Sequence, residues 1–319
     1  QRHTAPTGRP EALRLRIATR KSQLAIWQAE HVAARLKQLD AVTSAELVRL
    51  STRGDEILDR SLQKIGGKGL FIKELEIAMQ DGHADLAVHS MKDVPAKMPQ
   101  GFCIGAILER ANHADALVSD GTDFSDLREN ATIGSSSLRR QAQLRAMRPD
   151  LVVKPLRGNV NTRLAKLDAG EYDAIVLAAA GLERLGMAHR ITSSFGVNEM
   201  LPAASQGVIG IECLEDNAEL RRILGELDHN ETVQTTVAER EVARELDASC
   251  QSPVAAHAVI DNGTLVLIGL AALPDGTEII RETASGAPGD AAAIGAAVAA
   301  QLRERGVEAL LERARAMTD

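Results

Sequence analysis

The chain contains one order of landmarks twice, and this order predicts two α/β lobes of the same architecture. Each series has an apolar strand before a hydroxyl-rich loop, a strand ending in Arg-Gly-Asp or Arg-Gly-Asn, a helix, and Gly-x-x-Asp before a buried strand. Strands that alternate with helices are typical of βαβ units. The series begin near residues 13 and 131 but differ in spacing, and any two βαβ units share part of the pattern. We expect a duplication with the lobes facing each other.

Two segments are predicted to cross between the lobes. Residues 104–119 are strand-like with a charged interruption at Glu109-Arg110, and residues 201–207 precede an apolar strand over 208–213. A chain of 319 residues suffices for two or three domains, and two crossings imply a hinge. The predicted bounds are a disordered tail over 1–12, lobe 1 over 13–108 with 208–227, lobe 2 over 109–207 and a C-terminal domain over 228–319.

The C-terminal domain has a different pattern and is predicted to be α+β. A helix over 232–246, with Asn230 or Thr232 as its N-cap, precedes antiparallel strands, and a long Ala-rich helix over 290–315 follows them. The predicted turns between strands are Asp261-Asn262-Gly263 and Pro274-Asp275-Gly276. The predicted fold class is therefore α/β, with two similar lobes and a small α+β domain.

Composition limits the possible functions. The net charge is −7 and aromatic residues make up 2%, which argues against a nucleic-acid-binding protein, because such a protein needs a basic face and stacking rings. No stretch approaches the roughly 20 apolar residues of a membrane span, and residues 1–14 lack the apolar core of a signal peptide. The three cysteines form no CxxC pair, which favours a reduced, cytoplasmic protein.

The apolar run 86–88 leads directly into a polar loop, through which Pro95 prevents a smooth helix. This is typical of a buried parallel strand whose carboxyl end carries ligand-binding residues. The loop has one carboxylate, Asp93. A lone carboxylate among cations keeps its negative charge and is able to stabilise a developing cation or transfer a proton. Taken alone, Asp93 is also compatible with a helix cap or an ion pair, and His89 is interpreted as a packed histidine rather than a base.

Cations follow predicted strand ends or begin helices in both lobes. They are Arg20, Arg53, Lys64, Lys68, Lys92, Arg139, Arg140, Arg157 and Arg163. Arginine forks bind carboxylates and phosphates at two points, and Ser22 and Ser137 precede helices whose N-terminal amides favour anions. The set predicts a small polyanionic ligand between the lobes, although any one of these cations alone is more typical of solvated surface charge.

The segment 66–69 has a phosphate-loop composition without the phosphate-loop pattern, because Gly69 rather than Ser or Thr follows Lys68. A cation-bearing lid and a simple turn both remain open as interpretations. His83 and His89 lack the partners that a metal site requires, so no metal is predicted.

Cysteine positions separate into two kinds. Cys103 and Cys213 lie in apolar runs and are predicted core residues, whereas Cys250 lies in a loop before Pro253. Cys250 is either an inert surface thiol or the carrier of a covalent group, since a thiolate is a strong nucleophile.

Seven segments together resemble the porphobilinogen deaminase (hydroxymethylbilane synthase) family, in family order and over about residues 13–315. They are residues 15–22, 52–55, 66–71, 88–95, 136–140, 156–159 and 250–253. The resemblance implies two lobes like those of type II periplasmic binding proteins and a third domain that carries a cofactor on a cysteine. It also implies a monomeric transferase of tetrapyrrole (haem) biosynthesis. Such an enzyme joins four porphobilinogen molecules head to tail, with loss of ammonia, and releases linear hydroxymethylbilane after hydrolysis.

The resemblance also implies roles for individual residues. Asp93 would be catalytic, stabilising an azafulvenium-type cation and handling protons, and Cys250 would hold dipyrromethane through a thioether. The residues implied to bind cofactor or substrate carboxylates are Arg20, Ser22, Lys92, Ser137, Arg139, Arg140, Arg157 and Arg163. The residues implied for substrate contact or the lid are Lys64, Lys68, Phe71, Gln28, Thr52, Asn159 and Gln206.

The chain departs from the family pattern at several positions. Ala248-Ser249 replaces the usual Gly-Gly before the cysteine, Ser205 stands where glycine is common, and Ser135 replaces a usual threonine. Because non-glycine residues disfavour positive φ, the first two departures bear on the geometry of the cofactor loop and on hinge motion. They leave the resemblance in place, because the nucleophile, the acid and the set of cations are all present.

Two alternatives belong to other classes of protein. One is a non-catalytic, anion-binding module of the periplasmic-receptor type, against which the lack of a signal peptide argues. The other is the effector half of a transcription regulator, for which the dozen residues before the first strand are too few to form a helix-turn-helix.

Overall fold

The computed structural model describes residues 12–51, 69 and 71–318. Within these residues the strands form three sheets, two of five strands and one of three. The two larger sheets mix parallel and antiparallel pairs, while the smaller sheet is antiparallel throughout. No helix in this part of the chain combines the length and the apolar character needed to cross a membrane.

The first sheet belongs to lobe 1. In spatial order its strands are β2 (Val42–Leu50), β1 (Leu13–Arg20), β3 (Leu86–Ser90), β10 (Ile209–Leu214) and β4 (Phe102–Ile107). β1 is parallel to β2 and β3, and β10 is antiparallel to β3 and β4. The helices of this lobe in the described residues are α1 (Gln23–Leu36), α2 (Lys73–Gln80) and α6 (Ala218–Leu224).

The second sheet belongs to lobe 2. In spatial order its strands are β7 (Val152–Lys154), β6 (Thr132–Gly134), β8 (Ala174–Ala178), β5 (Asp115–Ser119) and β9 (Ser193–Ser194). β6 is parallel to β7 and β8, and β5 is antiparallel to β8 and β9. The helices are α3 (Leu138–Met147), α4 (Val160–Asp168) and α5 (Ala179–Arg184).

The two sheets share one strand order, which confirms the predicted pair of similar α/β lobes. In each, the second, first and third strands of the series are followed by an antiparallel strand and then an edge strand. In both lobes the chain enters the sheet through the antiparallel strand: β5 forms the end of the first predicted crossing, which β4 begins, and β10 comes directly after the second. The parallel strands of each lobe therefore end at one edge, where open α/β sheets bind ligands.

The central strands are apolar because both faces of each sheet are covered. Ile17, Leu86 and Ile175 are fully buried, as expected for parallel strands between helical layers. Gly210 of β10 has a specific packing role, because a Cβ at this position would lie 2.0 Å from Sδ of Met91. The missing side chain gives Met91 its place directly after β3, at the start of the polar loop.

The C-terminal domain has three antiparallel strands with helices packed on them. Its elements are α7 (Asn230–Glu245), β11 (Val254–Asp261), β12 (Thr264–Ala272), β13 (Ile279–Gly286), α8 (Ala291–Glu304) and α9 (Val307–Ala316). The predicted turn between β11 and β12 is confirmed, since Asn262 and Gly263 have φ values of 48° and 77°. Positive φ at both positions is the signature of the type I′ hairpin turn.

Two sequence predictions for this domain are wrong. The helix predicted over 290–315 is divided into α8 and α9 by Gly306, whose φ of 85° is left-handed and interrupts the helix. The N-cap of α7 is His229 rather than Asn230 or Thr232. The ring Nδ1 of His229 accepts a hydrogen bond from the backbone N–H of Thr232 at 3.3 Å, and an imidazole nitrogen has no place among the common N-cap groups.

The sheet membership of the strands supports the domain bounds proposed from the sequence. β10 returns to the lobe 1 sheet within 208–227, and the strands of lobe 2 all lie within 109–207. α7 and the three-stranded sheet follow residue 228. We keep these bounds as a proposal.

Glu239 of α7 joins both crossings to the C-terminal domain. Its buried carboxylate accepts hydrogen bonds from two guanidinium nitrogens of Arg110 at 2.8 Å. It also accepts from the backbone N–H of Ser205 at 2.6 Å and of Ala258 at 2.8 Å. Arg110 lies in the first crossing and Ser205 in the second, so one carboxylate holds both connections between the lobes.

We expect Ser205→Gly to stabilise the protein by about 1 kcal/mol, because a non-glycine residue in left-handed backbone is strained by roughly this amount. Ser205 has a φ of 66°, and its buried hydroxyl has no hydrogen-bond partner in the described part of the chain. Thermal unfolding should show a Tm higher by about 2 °C. Asn262→Gly is the matched control, since asparagine tolerates this conformation, and should leave Tm nearly unchanged. A lower Tm for Ser205→Gly would contradict the prediction.

Candidate active site

One cleft of about 510 Å³ lies where the two lobes and the C-terminal domain meet, and we call it the central cleft. Lobe 1 contributes residues 91–96, lobe 2 contributes residues 136–141, and the C-terminal domain contributes residues 248–252. The first two segments follow β3 and β6. The carboxyl ends of parallel strands from both lobes therefore face one shared space, together with the loop that carries Cys250.

Asp93 ends a 3₁₀ turn, Met91–Asp93, directly after β3. The turn is short because Pro95 disfavours helical backbone at Val94, whose ψ is 129°. The Met91 side chain is buried beneath the turn, whereas Asp93 is exposed to the central cleft. Among the described residues that line the cleft, Asp93 is the single acid. This placement supports the predicted lone carboxylate in a cationic site.

Cys250 lies between α7 and β11, and its thiol is exposed to the same cleft. Two serines shape the loop, because the N–H of Ser249 donates to Oγ of Ser252 and the N–H of Ser252 donates to O of Ser249, both at 3.0 Å. Asp247 has a positive φ of 49°, but neither Ala248 nor Ser249 does. The two residues that replace the family's glycines therefore adopt ordinary backbone conformations.

The surroundings of the Cys250 thiol disfavour its ionisation. Protein surrounds the accessible thiol, and this desolvation raises its pKa to about 11. The negative charge of Asp93 raises the pKa further, while Lys92 opposes it. The thiol, the carboxylate and the ammonium thus lie close enough to influence one another.

We expect alkylation of Cys250 in the cofactor-free protein to accelerate to an unusually high pH. Iodoacetamide reacts with the thiolate, so the rate should rise about tenfold per pH unit from pH 7 through pH 9.5 without a plateau. An ordinary thiol approaches its plateau above about pH 8.5. Cys250→Ser supplies the background rate of Cys103 and Cys213. A plateau near pH 8.5 would contradict the raised pKa.

Cations in the cleft are desolvated and close to one another. Burial, followed by repulsion from Arg140, lowers the pKa of Lys92 to about 8. Burial and Arg140 likewise lower the pKa of Arg163 to about 10, and Nε of Arg163 donates to O of Gly158 at 2.8 Å. Crowded cations favour a bound anion, because an anion relieves both desolvation and repulsion.

Arg139 and Arg140 share a buried carboxylate, Asp115 of β5. Arg139 donates to both Asp115 oxygens at 2.8 and 3.1 Å, and Nε of Arg140 donates to Oδ1 at 2.7 Å. Although burial opposes ionisation, Arg139 and Arg140 hold the pKa of Asp115 well below its usual range. Nη2 of Arg140 has no hydrogen-bond acceptor among residues 12–51, 69 and 71–318, and Arg140 lines the cleft. Arg140 is therefore the better placed of the two for binding a ligand carboxylate.

Asp115 is missing from the residues predicted from the sequence, although a signal exists. It begins the apolar run 116–118, and a carboxylate within a buried strand requires cationic partners. Its partners could have been sought among the arginines that follow β6.

Three predicted ligand residues have capping roles in the structure. Oγ of Ser22 accepts a hydrogen bond from the N–H of Ala25 at 3.3 Å and caps α1. Oδ1 of Asn159 accepts from the N–H of Thr162 at 2.9 Å and caps α4. Ser137 caps α3 and also lines the cleft, so the N-terminus of α3 faces the ligand space.

Of the other predicted residues, Gln206 and Arg157 line the central cleft, whereas Gln28, Arg20 and Phe71 are not among its lining residues. Gln28 is buried and exchanges hydrogen bonds with Ser90 at 3.1–3.2 Å. Gln206 lines the cleft, and its Nε2 donates to O of His113 at 2.8 Å. Arg20 lies over the ring of Phe71, 4.3 Å from its centroid. Arg157 lines the cleft. The predicted residues that lie outside the described part of the chain are Thr52, Arg53, Lys64 and Lys68.

The fold and the site together define a class of protein. Its members have two α/β lobes and a third domain, and the third domain places a cysteine near a lone carboxylate in a cation-lined cleft. Family models match the chain as "Porphobilinogen deaminase, dipyromethane cofactor binding domain" over residues 15–222 and as "Porphobilinogen deaminase, C-terminal domain" over residues 233–304. The porphobilinogen deaminase of Chromobacterium violaceum is 53% identical over 296 residues, covering 92% of this chain and 96% of the relative. The chain belongs to the porphobilinogen deaminase family. The resemblance seen in the sequence is thus confirmed, and with it a transferase that makes hydroxymethylbilane with a dipyrromethane cofactor.

The solved structures that match this chain share little sequence identity with it. The VFT2 domain of Bordetella pertussis BvgS is 17% identical, with 67% of this chain and 85% of that chain covered and a TM-score of 0.41. A probable amino-acid ABC transporter extracellular-binding protein of Bacillus subtilis, ytmK, is 10% identical, with 70% and 91% covered and a TM-score of 0.40.

Proposed function

We propose that Cys250 carries dipyrromethane as a thioether and that Asp93 provides the acid–base and electrostatic part of the deaminase reaction. One observation carries this proposal. An accessible thiol and a lone carboxylate, which are far apart in the chain, face the same cation-lined cleft. A cleft of this kind suits a covalently held polyanion next to a reacting centre that becomes positively charged.

The residues of the cleft fit the cofactor. Each pyrrole of dipyrromethane bears an acetate and a propionate, so the group is a polyanion that needs cationic partners. The cations that line the cleft are Lys92, Arg139, Arg140, Arg157, Arg163 and Arg240. The cleft volume of about 510 Å³ is also ordinary for a small-molecule site. When bound, the cofactor supplies the primer to which substrate pyrroles are joined.

Asp93 would act on the substrate pyrrole as ammonia departs. Loss of ammonia from porphobilinogen leaves an electron-poor, positively charged methylene pyrrole. A fixed carboxylate in a confined cleft stabilises such a charge more strongly than water does, because it needs no reorganisation. The same carboxylate is suited to accept a proton from the ring nitrogen or to deliver one to the departing amine.

The cations and the N-terminus of α3 would bind the carboxylates of the growing chain. Protein surrounds and desolvates Lys92, Arg140 and Arg163, and their charges favour an anionic occupant. Arg157 and Ser137 line the same cleft, and Arg139 holds Asp115 in place for Arg140. The remaining residues that we propose for cofactor, substrate or lid contact are Arg20, Ser22, Gln28, Thr52, Lys64, Lys68, Phe71, Asn159 and Gln206.

The proposed partner is porphobilinogen alone, and the proposed state is a monomer in the cytoplasm. The cytoplasmic assignment is supported by Cys103, Cys213 and Cys250, which are free thiols as in reduced compartments. The monomer is supported by the family resemblance.

Two measurements on the wild-type protein test the proposal. Incubation with porphobilinogen should release ammonia as hydroxymethylbilane forms, and the denatured protein should exceed the mass of the bare chain by two linked pyrrole units. A non-catalytic anion-binding module would bind porphobilinogen without releasing ammonia. A mass that stays at the bare-chain value after incubation with porphobilinogen would reject covalent attachment.

A further inference from the structure

Arg240 of α7 reaches out of the C-terminal domain to the loop that carries Asp93. Its Nη2 donates to O of Pro95 at 2.8 Å, and its Nη1 donates to O of Val94 at 3.2 Å and to O of Met91 at 3.5 Å. These three carbonyls flank Asp93 on both sides in the chain. One guanidinium therefore spans the residues 91–95, which we call the Asp93 loop.

The hydrogen-bond partners of Arg240 are neutral backbone carbonyls, all three of them in the loop that carries Asp93. No carboxylate in the described part of the chain lies within ion-pair distance of Arg240, and burial lowers its pKa to about 10. A desolvated guanidinium without an anion is costly, so its hydrogen bonds to the loop are the compensation that keeps it in place. An aliphatic side chain at this position would avoid the cost of desolvating a charge.

The location of Arg240 links the Asp93 loop to the cofactor-bearing domain. α7 ends at Glu245, and the loop that presents Cys250 begins directly after it. Arg240 and Cys250 line the same cleft. The hydrogen bonds from Arg240 run between lobe 1 and the C-terminal domain and do not involve lobe 2. A movement of lobe 2 therefore leaves this connection unchanged.

We propose that Arg240 is a positioning residue that holds Asp93 in register with the Cys250 loop through the three carbonyls of the Asp93 loop. This inference rests on the role of Asp93 given above. The carbonyls fix the backbone on either side of Asp93, so the carboxylate keeps one place relative to the group attached to Cys250. Without Arg240 the loop loses its side-chain hydrogen bonds from the C-terminal domain among the described residues, and only apolar packing such as that of Val233 remains.

Arg240→Gln tests the proposal in the cofactor-loaded enzyme. We expect kcat to fall roughly 10- to 100-fold while KM for porphobilinogen stays within about threefold, because a displacement near 1 Å costs this much. Arg240→Lys should recover part of kcat, since an ammonium still donates to carbonyls. Arg244→Gln is the matched control on the same helix. Arg244 is exposed and pairs with Glu241 and Glu245, so its loss should leave kcat unchanged.

A double-variant comparison separates positioning from general stabilisation. If Arg240 acts through Asp93, adding Arg240→Gln to Asp93→Asn should cause no further loss of kcat. Hydrogen exchange of the amides of residues 91–95 should also be faster in cofactor-loaded Arg240→Gln than in Arg244→Gln. A full additional loss in the double variant, or unchanged exchange in the loop, would overturn the proposal.

The outcomes also distinguish this inference from the proposed function. Asp93→Asn with wild-type kcat would remove the role of Asp93 itself. An inactive Asp93→Asn together with a fully active Arg240→Gln would remove only the positioning role. If Arg240→Gln folds poorly, the same test is made with Arg240→Lys. Its kcat and the hydrogen exchange of the amides of residues 91–95 then decide whether Arg240 positions Asp93.

Discussion

Cys250→Ser should yield a protein with the mass of the bare polypeptide and no measurable production of hydroxymethylbilane. A serine hydroxyl is a far weaker nucleophile than a thiol at neutral pH, so the attachment bond cannot form. The exposed thiol of Cys250 lines the central cleft, and no other described cysteine does. The measurement is denatured intact mass, before and after incubation with porphobilinogen, together with ammonia release.

Cys103→Ser is the matched control for this experiment. Cys103 lies in the lobe 1 sheet, where its Sγ is 3.8 Å from Sγ of Cys213, and it does not line the cleft. Its variant should retain the added mass and the activity of the wild type. Added mass on Cys250→Ser, equal to that on the wild type, would place the attachment at another residue and refute the assignment.

The lobes were predictable because their signals are local. Apolar runs such as 86–88 and 174–177 are long enough for a buried strand, and each is preceded by Gly-x-x-Asp and linked to a helix. The duplicated order of these landmarks was sufficient to predict two similar sheets. The position of the antiparallel strands β5 and β10 follows from the two crossings, which the interruption at Glu109-Arg110 and the segment 201–207 had indicated.

The two wrong predictions in the C-terminal domain concern helix ends, where single residues override the hydrophobic pattern of the sequence. Gly306 is one glycine in an alanine- and charge-rich stretch, where its helix-breaking effect depends on whether its φ becomes positive. The cap at His229 uses an imidazole nitrogen, which the common capping residues do not suggest. In both cases the helical periodicity of the sequence was compatible with more than one helix boundary, and the packing of the domain determines which boundary forms.

The site was only partly accessible from the sequence, because its contacts join distant parts of the chain. Asp93 and Cys250 lie on different domains, and no local pattern indicates that they meet; the family resemblance supplied that link. Asp115 and Arg240 were missed for the same reason, since their partners, Arg139 with Arg140 and the Asp93 loop, are far away in sequence. Conversely, Asn159 fits a loop ligand in sequence but makes a helix cap, which satisfies a local backbone N–H.

Asp93→Asn should lower kcat by about 10²–10⁴-fold, the range expected for loss of an acid–base group, with further loss from missing charge stabilisation. The substitution keeps the size of the side chain but removes its charge and its ability to accept a proton. Because Asp93 is the single acid among the described residues of the cleft, no neighbouring carboxylate is placed to substitute for it. The rate should be measured as ammonia release per cofactor-bearing molecule, with occupancy determined from intact mass.

Asp168→Asn is the matched control, because Asp168 pairs with Arg190 on the exposed surface of lobe 2, away from the cleft. It should leave kcat and KM unchanged. The KM of Asp93→Asn is informative as well. The cations bind the substrate carboxylates, so KM should change far less than kcat if Asp93 acts on the reacting pyrrole. A raised KM with kcat intact would make Asp93 a binding residue, and ammonia release equal to the wild type would remove it from the reaction.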